Sequence, residues 1–184
     1  SKGGPTHLEL TDSPVDWLDD DTVILTRDWG PGTTTAAGYG FVVKALTRGQ
    51  PLSDAREVFR GKSSDVSVMP LVLRSGEGSS VVVISRRLTF FDVEYYVMTP
   101  SGPKLLPLPR GVTLRGLLDG QILFTLRQPW QFAGQSYPSG AIVAIDVNTA
   151  TSRPDRLTPE LVMAPGPREA IDAVVPTRDF AIVA

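Results

Sequence analysis

Apolar residues come along this chain in short β-type runs, and the i, i+3, i+4 spacing of a helix face is hard to find. Val, Ile, Phe, Tyr and Thr fill the runs, while Gly, Pro, Asp and Ser fill the gaps. The first group of runs has Val15-Asp16-Trp17, an acidic turn at Asp19-Asp20-Asp21, Thr22 to Thr26, Phe41 to Leu46 and Glu57 to Phe59. A second has Asp65 to Leu73, Ser80 to Ser85, Glu94 to Met98 and Lys104 to Leu108, with turns at 75–78 and 100–103. The third has Val112 to Leu117, the turn Asp119-Gly120, Gln121 to Leu126, Ala141 to Val147 and Arg156 to Val162. A fourth starts at Ala170 to Val175, turns at 176–179 and reaches Phe180 to Val183. The best helix candidate, Leu52 to Phe59 with Ser53 as a cap, spans barely two turns and reads better as a loop entering a strand.

Each complete group is four strands in up-and-down order. Its third strand recurs at a spacing of about 50 residues (Phe41, Tyr95, Ile142), the period of propeller blades. The pattern predicts an all-β chain, a β-propeller fragment of about three and a half four-stranded blades. The blades fall at 12–61, 62–110, 111–163 and an incomplete 170–184. A β-sandwich with the same short strands stays open as the alternative. The hairpin from Gly38 to Gly61 supplies the outer half of one blade, exposing Lys44 and Arg56 and turning Val43 and Val58 toward neighbours. The closing "RDFAIVA" is a bare apolar strand, which invites aggregation at an unpaired edge. The expectation is a piece of a longer polypeptide.

Composition narrows the function classes. At 41% hydrophobic and 21% charged the chain is globular. A net charge of −2 and a pI near 5.4 give no basic surface for nucleic acid. No apolar run is long enough to span a membrane as a helix, and the N-terminus has no signal-peptide pattern. With Cys 0 there is no disulfide framework, thiolate zinc site or cysteine nucleophile. That fits a reducing, cytoplasmic setting, with an exported parent left open. Gly 17 and Pro 16 are spread between the runs, so turns are frequent.

Several phrases occur in one order: "WLDDDTVIL" (Trp17 to Leu25), "DWGPG" (Asp28 to Gly32), "GYGFVVK" (Gly38 to Lys44), "RGQPLSDA" (Arg48 to Ala55) and "VFRG" (Val58 to Gly61). "LTFFDVEYYVM" (Leu88 to Met98), "RQPWQFAGQSYPSGAIVAID" (Arg127 to Asp146) and "RDFAIV" (Arg178 to Val183) continue the series. Together they resemble the middle of the N-terminal propeller in bacterial members of the prolyl oligopeptidase family of serine peptidases. The resemblance runs over nearly the whole chain, from about Gly3, and is carried by the shared order of the phrases. It implies a seven-bladed parent propeller that admits short peptides to a Ser-Asp-His site on a C-terminal α/β-hydrolase domain. The family's G-x-S-x-G elbow does not occur here. "GKSSD" and "GQSYP" come nearest and lack the final Gly. No catalytic, cofactor-binding or metal-binding residue is therefore assigned, no cofactor is expected, and the chain alone is expected to be inactive.

The remaining candidate chemistry reads mostly as structure. His7 is the sole histidine and has no nucleophile signature near it. Asp19, Asp20 and Asp21 suit a hairpin turn rather than a metal loop, whose ligands alternate. "RGKSS" (Arg60 to Ser64) has Arg56 where a phosphate loop needs Gly, and reads as a turn between blades. Trp17, Trp29, Trp130, Phe90, Phe91, Tyr95 and Tyr96 read as packing between sheets. The loop group Trp29, Trp130, Phe132 and Tyr137 keeps a second reading, a surface facing a partner or channel. Arg86, Arg87 and Arg127 read as exposed strand ends, with an acidic partner or the hydrolase domain as the alternative.

The expected partners are the C-terminal hydrolase domain of the same polypeptide and short peptide substrates, with no nucleic acid and no membrane. Open blade faces make self-association a further expectation. Two rival functions stand beside this: a stand-alone peptide- or protein-binding module and, on weaker ground, a carbohydrate-active propeller with two opposed carboxylates.

Overall fold

The computed structural model describes residues 14–76, 78–166, 169, 171, 174–176 and 181–183. The alternating runs become antiparallel meanders. The first sheet is β1 (Val15–Trp17), β2 (Thr22–Thr26), β3 (Val42–Thr47) and β4 (Arg56–Arg60), paired in that order. The second is β5 (Ser67–Arg74), β6 (Ser80–Arg87), β7 (Val93–Thr99) and β8 (Gly102–Leu105). In the third, β9 (Val112–Leu118) and β10 (Gln121–Leu126) are followed by a small separate hairpin, β11 (Trp130–Phe132) and β12 (Gln135–Tyr137). The sheet then resumes with β13 (Ile142–Asp146) and β14 (Glu160–Met163), in the order β9-β10-β13-β14. A two-stranded sheet, β15 (Val174–Pro176) with β16 (Ala181–Val183), follows.

The first strands decide how the sheets are arranged. β1 lies beside β5, β5 beside β9, and β9 beside β15, while β4 of one sheet touches β8 of the next. Sequential meanders whose first strands are neighbours radiate from a common axis, whereas a sandwich interleaves two sheets through Greek-key crossings. The architecture is a β-propeller segment. Pro70 fits this placement, because β5 pairs only with β6 and an edge strand spares the missing N–H.

Strand alternation builds the cores between sheets. Adjacent residues of β7 point opposite ways. Tyr95 packs edge-on against Phe124 of the third sheet at 5.4 Å, and Tyr96 meets Phe59 of the first sheet at 4.7 Å. Val83, Val97, Ile122, Phe124 and Val143 fill the space between the second and third sheets, and Val42, Val43, Val68 and Ile84 that between the first and second. All nine are essentially free of solvent, and burial of each such side chain contributes about 1.5–3 kcal/mol.

Several boundaries differ from expectation. The Leu52 region forms a single 3-10 turn, Leu52–Asp54, before β4. The last strand of the third sheet starts at Glu160 rather than Arg156, because the chain first makes a short helix α1 (Val147–Ser152) and a 3-10 turn, Pro154–Arg156. Asp146 caps α1 by accepting from the Thr149 N–H and hydroxyl, both at 2.7 Å. The β11–β12 hairpin falls where a loop was expected. Its turn places both Ala133 (φ 49) and Gly134 (φ 82) at positive φ, as a two-residue type I′ turn requires. In the Gly38 to Gly61 hairpin Val43 is buried and Arg56 exposed, but Lys44 is half-buried with its ammonium 4.5 Å over the Trp29 ring. Val58 sits in a β-bulge, which redirects it from strict alternation.

Candidate functional site

The meander order sorts the connections by end. Tight turns at 18–21, 75–79 and 119–120 share one end with the returns at 48–55, 100–101 and 147–159. The longer connections 27–41, 61–66, 88–92, 106–111 and 127–141 share the other end. Backbone hydrogen bonds tie this loop end into a rim. Ala36 N–H donates to Ser63 O (3.3 Å), Val66 to Arg87 (2.8 Å), Val93 to Arg110 (3.1 Å) and Arg127 to Gly111 (2.8 Å).

Within the rim lies the most buried ionic network among the described residues. The Asp65 carboxylate, whose side chain is 2% exposed, accepts two hydrogen bonds from the Arg86 guanidinium (2.8 and 3.0 Å) and one from Lys62 N–H (2.7 Å). Arg86 also donates to Glu94 (3.2 Å), which is its cross-strand partner in β7 and accepts from the Tyr96 hydroxyl (3.0 Å). The charge-assisted bonds that Arg86 donates to Asp65 hold the Arg86 pKa above its ordinary value. Arg86 is thus an internal staple and not the exposed strand end expected of it: tertiary pairing with the 61–66 connection buries it. Arg87 donates to Phe90 O (3.1 Å) and Arg127 to the Thr113 hydroxyl (3.2 Å).

The aromatic residues divide. Tyr95 and Trp130 are buried, while Tyr96 and Trp29 are half-buried, with the Trp29 indole N–H donating to Val42 O (2.8 Å). Trp130 stacks on Tyr137 at 5.3 Å and lies 5.0 Å from Phe132, which is half-buried. Burial pushes the Tyr95 phenol above its ordinary pKa of 10.0, despite the amide hydrogen bond from Leu114. Three residues expected in the core are exposed: Trp17 at 47%, Phe90 at 76% and Phe91 at 69%. The two phenylalanines occupy the turn between β6 and β7. Thr89 and Asp92 flank them as turn formers, a signal present in the sequence that outweighs residue type here. Trp17 ends β1, where no described sheet covers it, and the Arg48 guanidinium lies 5.1 Å over its ring.

The Asp19 to Asp21 stretch is a hairpin turn. Asp21 N–H donates to Asp19 Oδ1 (2.9 Å), and this bond holds the Asp19 carboxyl below its ordinary pKa. Among the described residues, no group of three His, Asp or Glu side chains converges as metal ligands. Ser63 and Ser64 of "GKSSD" lie in the 62–65 turn, and Ser136 of "GQSYP" is exposed on β12. Neither place is the strand-to-helix elbow a hydrolase nucleophile needs. His7 lies outside the described residues.

No protein-family model matches the chain. The "uncharacterized peptidase y4nA" of Sinorhizobium fredii (strain NBRC 101917 / NGR234) is 35% identical over 171 residues, covering 90% of this chain and 24% of that protein. A post-proline cleaving enzyme from Rickettsia typhi superposes with a TM-score of 0.81 at 21% identity, covering 94% of this chain and 26% of that one. The fold is a propeller segment of prolyl oligopeptidase type. The family resemblance read from the ordered phrases holds, and the chain spans about a quarter of the length of either relative. Phe90 and Phe91, with Trp17, Leu161, Val162 and Met163, are among the apolar side chains that packing inside the segment leaves exposed.

Proposed function

We propose that this chain is a non-catalytic propeller segment of a prolyl oligopeptidase-like serine endopeptidase. In the parent it gates access of short proline-containing peptides to a Ser-Asp-His site carried outside these residues, on an α/β-hydrolase domain of the same polypeptide. The observation that carries the reading is the side-by-side order of β1, β5, β9 and β15, in a fold that overlays a post-proline cleaving enzyme along 94% of the chain. Sheets arranged this way surround an axial opening. Their tightly packed cores make it a filter of nearly fixed width, because close-packed interiors resist deformation. The residues at hand bind and exclude; the sequence supplies no G-x-S-x-G nucleophile.

The test uses two proteins and a chromogenic Gly-Pro substrate. The 184-residue chain is expected to give no turnover, and the full-length gene product is expected to cleave. Robust turnover by the former, or an inert full-length product, overturns the reading. Open apolar faces also favour pairing of the isolated chain: Val15 and Trp17 on one side, and Leu161, Val162 and Met163 along β14, are exposed. Light scattering at tens of micromolar is expected to show a dimer, and a strictly monomeric mass contradicts it.

A further inference from the structure

The arginines at the loop end divide into two sets. Arg86 holds Asp65 and Glu94, and Arg110 lies 3.6 Å from Glu94, so both of these carboxylates are already committed. Arg87, Arg115 and Arg127 stand apart, because among the described residues none of the three is in an ion pair.

The three nevertheless gather in one place. Thr113 of β9 and Thr125 of β10 face each other in register. Arg115 Nε donates to the Thr125 hydroxyl (2.9 Å), and Arg127 Nε donates to the Thr113 hydroxyl (3.2 Å). Thr125 is buried, which fixes that anchor. Arg87, at the end of β6, is held by Phe90 O (3.1 Å). The Tyr95 hydroxyl is the point they share. Burial raises its pKa, and the Leu114 amide together with the charges of Arg87, Arg127 and Arg115 acts against that rise. Each hydrogen bond named uses a single N–H of a fork that carries several. Like charges gathered in this way repel, and an anion seated among them relieves the repulsion.

The position in the fold says which anion. β9 pairs only with β10, so its other edge, beside β5 and β15, borders the axial opening. β9 is entered from the 106–111 connection and β10 leaves into 127–141, so Thr113 and Arg127 stand at the loop end of this inner pair of strands. Arg115 is half-buried and reaches toward the same end through Thr125, while Arg127 is exposed.

We infer that Arg87, Arg115 and Arg127 form an anion subsite at the loop-end mouth of the axial opening, which takes a carboxylate of the peptide substrate. The inference rests on the function proposed above and adds the substrate feature selected there. A peptide carries its negative charge as carboxylate, at its C-terminus or on Asp and Glu side chains. The planar guanidinium fork matches two carboxylate oxygens with parallel N–H groups. Such a contact, made in the ground state and kept in the transition state, lowers KM and leaves kcat unchanged.

Full-length gene product tests this with two pairs of peptides cleaved after proline. Acetyl-Ala-Gly-Pro-Ala with a free C-terminus is compared with its amide, which reports a terminal carboxylate. Acetyl-Glu-Gly-Pro-Ala amide is compared with its Gln counterpart, which reports a side-chain carboxylate. At low salt the charged member of at least one pair is expected to have a kcat/KM about tenfold higher, through KM. Arg115→Gln and Arg127→Gln each remove most of that advantage, while Arg153→Gln, on the tight-turn end, leaves it whole. Equal values within both pairs, or an advantage that survives both loop-end variants, overturns the inference. If no peptide is cleaved, the functional reading falls and calorimetric titration decides the subsite instead. Proline-free acetyl-Glu-Ala-Ala is then expected to bind, about tenfold more weakly to Arg127→Gln; no binding, or equal binding, overturns the inference. Both loop-end variants should keep the thermal midpoint within about 2 °C of the unsubstituted protein. A larger fall assigns these arginines to the packing of the fold and overturns the inference as well.

Discussion

Removing the Asp65 carboxylate tests how the first two sheets are joined. Asp65→Ala takes away two charge-assisted bonds from Arg86 and the cap on Lys62 N–H, at a site whose side chain is almost wholly buried. Breaking a buried pair from one side costs about 3–5 kcal/mol, because the remaining charge loses its partner in a medium poor in water. Two features reduce the figure here. Arg86 keeps its 3.2 Å bond to Glu94, and its side chain is 14% exposed. The expected loss is about 3 kcal/mol by urea unfolding of the 184-residue chain. Arg86→Met should cost at least as much, since it leaves the 2%-exposed Asp65 with only the Lys62 amide and also takes a partner from Glu94. The double variant should fall short of the sum by at least about 1.5 kcal/mol, the signature of directly coupled residues. Additive losses, or an Asp65→Ala cost below about 1 kcal/mol, would refute the claim that this pair staples the connection to the second sheet.

Three further outcomes follow from neighbouring geometry. A Cβ on Gly61 would stand 2.5 Å from Asp65 Oδ2 and 2.7 Å from Val68 Cγ2. Because Asp65 is pinned by Arg86, Gly61→Ala should lower the unfolding free energy by about 1–3 kcal/mol; an unchanged urea midpoint contradicts that. Ala133 holds φ 49 in the β11–β12 turn, so Ala133→Asn, which writes the preferred Asn-Gly pair, should raise the thermal midpoint by about 1–3 °C, and a decrease contradicts the turn assignment. Burial raises the phenol pKa values of Tyr95 and Tyr96 above 10.0. The folded state therefore holds these protons more tightly than the unfolded chain. Their contribution is complete below about pH 10 and is lost as pH rises through the folded values. Urea midpoints should hold from about pH 7 to 9 and fall above about pH 10, less steeply in Tyr95→Phe; an identical slope in that variant contradicts the assignment.

The strands were legible because their residues alternate: Tyr95 and Tyr96 serve opposite faces of one strand, and a period of two records that directly. The arrangement of sheets about an axis was less legible, since a sandwich uses the same strands. It took the adjacency of β1, β5 and β9 to separate the two. The β11–β12 hairpin is not legible in the sequence because Ala133 occupies a position where Asn or Gly is the usual signal. Helix α1 is not legible because Val147, Asn148 and Thr149 are weak helix formers, and its stability comes from the Asp146 cap and the burial of Ala150. Arg86 reads as a surface residue until Asp65 and Glu94, 21 and 8 positions away, are brought to it by the fold. Phe90 and Phe91 look like core by residue type, yet the turn formers around them place the pair in solvent.

An experimental structure of the full-length gene product tests the central claim most directly. The account predicts β1, β5, β9 and β15 as successive innermost strands around one opening. Two face-to-face sheets linked by Greek-key crossings would contradict it.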